Sequence, residues 1–207
     1  RAFGVATELE AWHRATNLGV KLLSGYASGD ANHDDETLYR FRFDPNYKVG
    51  LVLFDHYLPA LSRESYRRIG DPERVALAPR GAEGLVETGS VTNAYYLNPQ
   101  FLFGDPDALL AGVGVVWARS AVPVADPYST FENGGSPVGP RGAGPASHDL
   151  GWELDFGARY RTYVWKDLAM ELKGEYGLFF PGAAFENDLG ERDDPQSLVR
   201  IRFAVLW

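Results

Sequence analysis

Oily and polar residues alternate one for one along much of this chain, which is the period of a β-strand whose two faces meet different surroundings. The stretch LAMELKGEYGLFF (168–180) sets Leu168, Met170, Leu172, Tyr176, Leu178 and Phe180 on one face and Glu171, Lys173 and Glu175 on the other. The last ten residues, LVRIRFAVLW, oppose Val199, Ile201, Phe203, Val205 and Trp207 to Arg200 and Arg202. In 150–163 the apolar row is Trp152, Leu154, Phe156, Ala158 and Tyr160, and the polar row holds Glu153, Asp155, Arg159 and Arg161. Upstream, 108–119 sets Leu109, Ala111, Val113, Val115 and Trp117 against Gly112, Gly114 and Ala118. Segment 91–103 reads as a further strand, although its Pro99 is a residue normally kept to sheet edges or bulges. Two more, 3–13 with Glu8 and Glu10 on the polar side and 18–27 with Lys21, form a hairpin over RATN.

The segments between these strands alternate in length. Those at 14–17, 104–107 and 164–167 are short, whereas 28–90, 120–149 and 181–197 are long. A barrel in an outer membrane has this rule, with tight periplasmic turns and long external loops, and a soluble sandwich gives no reason for it. The expectation is therefore an all-β protein, an antiparallel up-and-down transmembrane β-barrel occupying 1–207 as a single domain, its apolar face toward lipid and its charges toward a lumen. Bacterial barrels carry an even number of strands. Seven strands with the last one descending predict at least one more upstream of Arg1, so the chain is expected to be the C-terminal part of a larger barrel. Within 28–90, VGLVLF (49–54) reads either as a strand outside the membrane or as part of a helix-containing insertion.

Composition narrows the function classes. A net charge of −8 and a pI near 5.0 speak against a nucleic-acid partner, which calls for a basic surface. With no cysteine there is no disulfide, Cys-ligated zinc or thiol nucleophile. No apolar run reaches the roughly 18 residues of a membrane-crossing helix, and no signal-peptide pattern opens the chain. Aromatics make up 14% of the residues, and Trp12, Trp117, Tyr128, Trp152, Tyr163, Trp165, Phe179, Phe180 and Trp207 fall where strands meet turns or loops, as interfacial girdles do. The other reading of these rings is the core of a soluble sheet.

The terminal LVRIRFAVLW resembles the closing strand of bacterial outer-membrane barrels, an aromatic last residue with apolar residues at alternate positions behind it. That resemblance implies a Gram-negative cell outer membrane, insertion by the outer-membrane assembly machinery through Trp207, and a bilayer with lipopolysaccharide as surroundings. SGYASGD (24–30) and FRFDPNY (41–47) resemble the loop region of the alginate-export family of outer-membrane porins. Residues 58–88 have no counterpart in that resemblance, so the alginate substrate is not carried over.

The candidate pore-lining set is Glu8, Glu10, Lys21, Glu153, Asp155, Arg159, Arg161, Glu171, Lys173, Glu175, Arg200 and Arg202. On adjacent strands such residues form either a basic ladder that draws anions through a pore or a self-neutralising network that fills the interior. GDANHDDE (29–36) spaces Asp30, Asn32 and Asp34 like the first ligands of a calcium loop, but lacks the glycine and closing glutamate. SHD (147–149) has the residue types of a hydrolase triad without its spatial arrangement, and His13, His33, His56 and His148 show no paired spacing. No enzyme, metal or cofactor is expected. The functional expectation is a porin-type channel for diffusion of polar or anionic solutes. The alternative is a structural barrel that sheathes or anchors a partner protein, in the lumen or at the barrel seam.

Overall fold

The computed structural model describes residues 1–31, 37–75, 86–140, 147–166, 168–187 and 189–207. Strands form at the seven alternating segments: β1 (Gly4–His13), β2 (Leu18–Ala27), β3 (Ala94–Gly104), β4 (Leu109–Ser120), β5 (Asp149–Trp165), β6 (Leu168–Pro181) and β7 (Gln196–Leu206). They make one sheet in chain order, each strand antiparallel to the next. Up-and-down order follows from the short turns, since two antiparallel strands need only a few residues between them. Among the described residues the sheet is not closed: β1 pairs only with β2 and β7 only with β6.

Pro99 lies inside a central strand and the register accommodates it. Pairing of β3 with β4 runs to Leu97↔Trp117 and resumes at Gln100↔Gly114, so Asn98 and Pro99 drop out without a slip. Proline has no N–H to give, and the ladder is interrupted there and nowhere else along β3. On the other side Leu22↔Pro99 remains in register with β2.

One face of the sheet is covered and the other is bare. Bare positions carry the predicted apolar rows, among them Leu9, Val20, Leu97, Phe101, Val115, Trp117, Phe156, Leu172, Ile201 and Phe203, all exposed. The covered face takes the connection between β2 and β3. Its 49–54 stretch is not a strand: it leads into a single π-helical turn, Leu53–Tyr57, and then α1 (Leu58–Ile69), so the helix-containing alternative holds. Connection 121–148 adds α2 (Pro127–Glu132), started by Pro127 and by the Asp126 carboxylate accepting from Ser129 N–H at 2.8 Å. Helices α1 and α2 meet through Tyr128 N–H on Ser65 Oγ and an Arg68–Asp126 ion pair.

Apolar residues of the insertion (Val49, Leu51, Val52, Leu53, Phe54, Tyr57) pack on Leu23, Tyr96, Val116, Ala118, Leu150 and Phe179 from β2 to β6, and on Phe185. This core lies at the end of the strands where the long connections leave, the loop end. Glycines open the sheet to it. A Cβ on Gly177 would sit 2.8 Å from Val52 Cγ2 and 3.0 Å from Leu51 Cβ, one on Gly25 would collide with Tyr96, and one on Gly4 with Phe41. No helix among the described residues is long and apolar enough to cross a membrane, which says nothing of strands.

Candidate functional site

All twelve candidate residues lie on the covered face, because the register puts them there together. Glu8 and Glu10 stand on β1 with Lys21 beside them on β2, its Nζ 3.6 Å from Glu8 Oε2. The other nine gather on β5, β6 and β7. Toward the strand ends joined by tight turns, the turn end, seven of these nine gather around two carboxylates, Glu171 and Glu175. Glu171 accepts from Arg161 Nη2 at 2.7 Å and Arg202 Nη2 at 3.1 Å, with Arg159 Nε 3.9 Å away. Glu175 accepts from Lys173 at 2.7 Å and from Arg200 Nε at 2.9 Å. Arg159 reaches on to the Pro106 carbonyl of the turn between β3 and β4.

Two features of this network set its electrostatics. Arg159, Lys173 and Arg202 are register partners in succession across three strands, three cations side by side. Like charges placed directly opposite destabilise a sheet, so stability alone would not select this row. The carboxylates that hold it are sunk and the cations stand out: side-chain exposure is 6% for Glu171 and 13% for Glu175, against 33% for Lys173, 39% for Arg200 and 62% for Arg202. The surface offered to solvent is therefore cationic, although the network as a whole is partly neutralised. Neutralising contacts thus lie at the base, around Glu171 and Glu175, and the more exposed cations stand above them.

Glu153 belongs to a different environment. It is fully buried beneath the insertion, and its carboxylate accepts from three successive N–H groups, Leu51, Val52 and Leu53, the latter two at 2.8 Å. These are the donors left unpaired where a helical segment begins, and a carboxylate there also meets the positive end of the helix dipole. Glu153 is thus an anchor for the insertion and does not reach open water. Its neighbour Asp155 lies between the two zones, its Oδ1 buried and, among the described residues, without a hydrogen-bond partner of its own.

A second clamp sits at the far side. Asp55 of the π-helical turn pairs with Lys48 and, at 3.6 Å, with Arg200 of β7. Lys48 and Asp55 thereby join the charged surface, and no alternation marked them because they lie outside the strands. The signal that was available is the row of inward glycines, Gly25 and Gly177 among them, which announces a chain seated on that face. Farther out, Arg40 pairs with Glu87 at 3.2 Å; burial pushes the Glu87 carboxyl up, while Arg40 and Arg42 pull it back.

Several aromatics differ from the girdle expectation. Phe179 is fully buried against Tyr57 and Phe185 in the core, because it alternates with the outward Phe180. Trp12 lies on the covered face in line with Glu8 and Glu10 and donates to Glu10. Tyr128 is on α2, over which Arg68 stacks. Trp117, Trp152, Tyr163, Trp165 and Trp207 are exposed, and Trp152 stacks on Phe180 at 4.1 Å between centroids. Of the calcium-like spacing, Asp30 accepts from Tyr39 N–H, while Asn32 and Asp34 lie outside the described residues, as does His33. Among the described residues no cluster of His, Cys, Asp and Glu is placed to hold a metal. His148 bonds Ser120 rather than forming a triad with its neighbours.

No protein-family model and no curated relative matches the chain.

Proposed function

We propose that this sheet is part of the wall of a bacterial outer-membrane β-barrel, with the bare face toward lipid and the covered face toward an aqueous lumen through which polar and anionic solutes diffuse. The observation that carries the reading is the contrast of the two faces. Across seven strands the bare face is a continuous apolar surface, and its charged residues, Arg119 and the register partner Asp149, sit at the loop-end rim. Contiguous apolar patches of this extent are rare on soluble monomers and mark an interface or a membrane. The polar interior with alternate apolar residues outside is what a barrel in lipid requires. The cation row Arg159–Lys173–Arg202 supports anion preference, as charged rings set selectivity in channels. Lipid, lipopolysaccharide and the outer-membrane insertion machinery acting on Trp207 are the surroundings this reading implies.

A second reading, a barrel that sheathes or anchors a partner protein, draws on how much of the covered face the insertion already occupies, from Gly4 to Arg200. Planar-bilayer recording in a salt gradient distinguishes them. A channel gives a steady current whose reversal potential favours anions; silence in protein free of partners leaves the sheath.

A further inference from the structure

On the bare face, at the loop end, one indole stands between two aromatic pairs. Trp117 of β4 is the register partner of Trp152 on β5 and of Leu97 on β3. Strands lie about 4.8 Å apart, so two rings directly opposite can touch. These do not. Trp152 stacks instead on Phe180 at its far side, with 4.1 Å between centroids and 14° between planes. Tyr95, two residues nearer the rim on β3, leans the other way onto Tyr26 at 4.7 Å. Trp117 makes no ring contact among the described residues, and a cavity opens on each side of it. One, of about 500 Å³, lies toward Trp152 and Phe180; the other, of about 450 Å³, lies toward Tyr95 and Arg119.

The rim of these cavities is polar, and its charges are not self-cancelling. Asp149 is the register partner of Arg119, but its carboxylate accepts from Gly151 N–H at 3.0 Å and Ala183 N–H at 3.3 Å. Arg119 is thereby left exposed and, among the described residues, without an ion pair. Asp193, on the larger cavity, accepts from the Tyr57 hydroxyl, and Arg192 beside it pairs with Glu186 while staying half exposed. The acids are taken up by the protein's own donors and guanidinium groups face solvent. Walls contributed by Ala121, His148 and Pro195 belong to the connections above the strand ends, so a ligand reaches both cavities from the loop side.

Two small-molecule-sized cavities sharing one indole, with a guanidinium at the rim, suit ring compounds that have an apolar face, a polar edge and an oxyanion. A pyranose ring has that face. Its C–H groups carry partial positive charge and lie against the negative face of an aromatic ring. Its hydroxyls point outward, where Ser120 and His148 border one cavity and Asp149 and Asp193 the other. A phosphate matches the planar fork of an arginine in two parallel hydrogen bonds. We infer that Trp117 is the centre of a site for a free phosphorylated saccharide, with sugar rings seated beside the indole and the phosphate on Arg119. The site lies on the opposite face from the Arg159, Lys173 and Arg202 row and does not depend on conduction.

Calorimetric titration of the full protein in phosphatidylcholine vesicles tests it, with trehalose 6-phosphate and trehalose as probes that differ only by the phosphate. Saturable binding is expected, roughly tenfold weaker for trehalose because a charged hydrogen bond is missing. Arg119→Gln should bring trehalose 6-phosphate down to the level of trehalose and leave trehalose itself unchanged. Trp117→Ala should weaken both probes by about tenfold or more, and Trp117→Tyr should restore most of the loss. Trp117 is 46% exposed and outside the core, so these variants keep the fold. No saturable binding, or an Arg119→Gln variant that still prefers the phosphorylated probe, would overturn the inference. So would loss of binding in Arg202→Gln, which would place the phosphate on the covered face. Intact binding by a protein that is silent in planar bilayers would remove the channel and leave this site standing.

Discussion

The loop half and the turn half of the covered face are built on the same strands, in the same register, and they solve burial in opposite ways. In the loop half the inward positions are small or apolar (Gly25, Gly177, Ala118, Val116, Phe179), and a segment of chain lies on them in a dry core. In the turn half the inward positions are Arg159, Arg161, Glu171, Lys173, Glu175, Arg200 and Arg202, and they cover one another with ion pairs. Glu153, fully buried in that half, survives there because three backbone N–H groups satisfy it. A buried charge with fixed donors becomes an anchor, and the same residue type among exposed guanidinium groups becomes part of an electrostatic surface.

The comparison can be broken most severely at Glu153. In Glu153→Ala three N–H groups lose their acceptor in a fully buried site, and unfolding free energy should fall by about 3–5 kcal/mol. Denaturant unfolding would measure this, and limited proteolysis within 37–75 should accelerate with it. Gly177→Val drives a side chain into Leu51 and Val52 and should cost about 1–3 kcal/mol by overpacking. Gly174→Ala, on the bare face with nothing within 4 Å of the new Cβ, should stay within about 0.5 kcal/mol by the same assay. Equal effects of these two substitutions would show that the insertion is not seated where the structure has it.

The turn half should answer in selectivity before stability. On the proposed channel reading, Arg202→Glu reverses the most exposed cation of the row and bilayer reversal potentials should move toward cations, with a stability change of about 1 kcal/mol because Arg202 is itself 62% exposed and Glu171 keeps Arg161. The smallest effect concerns pH. Burial raises the Glu87 carboxyl above its ordinary value, so between those two values the folded state holds the proton more firmly than the unfolded chain. Stability contributed at this site therefore falls as pH rises through that window, and Glu87→Gln should flatten the slope seen in pH-dependent unfolding.

Much of the sheet was legible from alternation alone. A side-chain period of two fixes which residues share a face, and a slip by one residue would reverse every one of them. That is why Leu172 and Phe203 on one side and Lys173 and Arg202 on the other fall where the pattern puts them. Pro99 looked like a fault and proved to be a local gap in one ladder, since a missing N–H interrupts pairing without moving its neighbours. Phe179 was misplaced with the interfacial rings because periodicity near a strand end does not reveal what stands opposite. Lys48 and Asp55 were not found because irregular segments have no period to betray their direction.

By itself, then, the sequence determined the seven strands, their order through turn length, and the two chemically distinct faces, all of which follow from local sterics and a repeat of two. Only the tertiary structure decided that residues 49–57 turn back onto the charged side, that Glu153 is spent on their backbone, and that Glu171 and Glu175 sink beneath the cations. Those outcomes depend on contacts between residues about a hundred positions apart, such as Leu51 with Glu153. Distant partners leave no trace in the alternation of either strand, because the same inward position accepts a glycine under a helix or an arginine over a carboxylate.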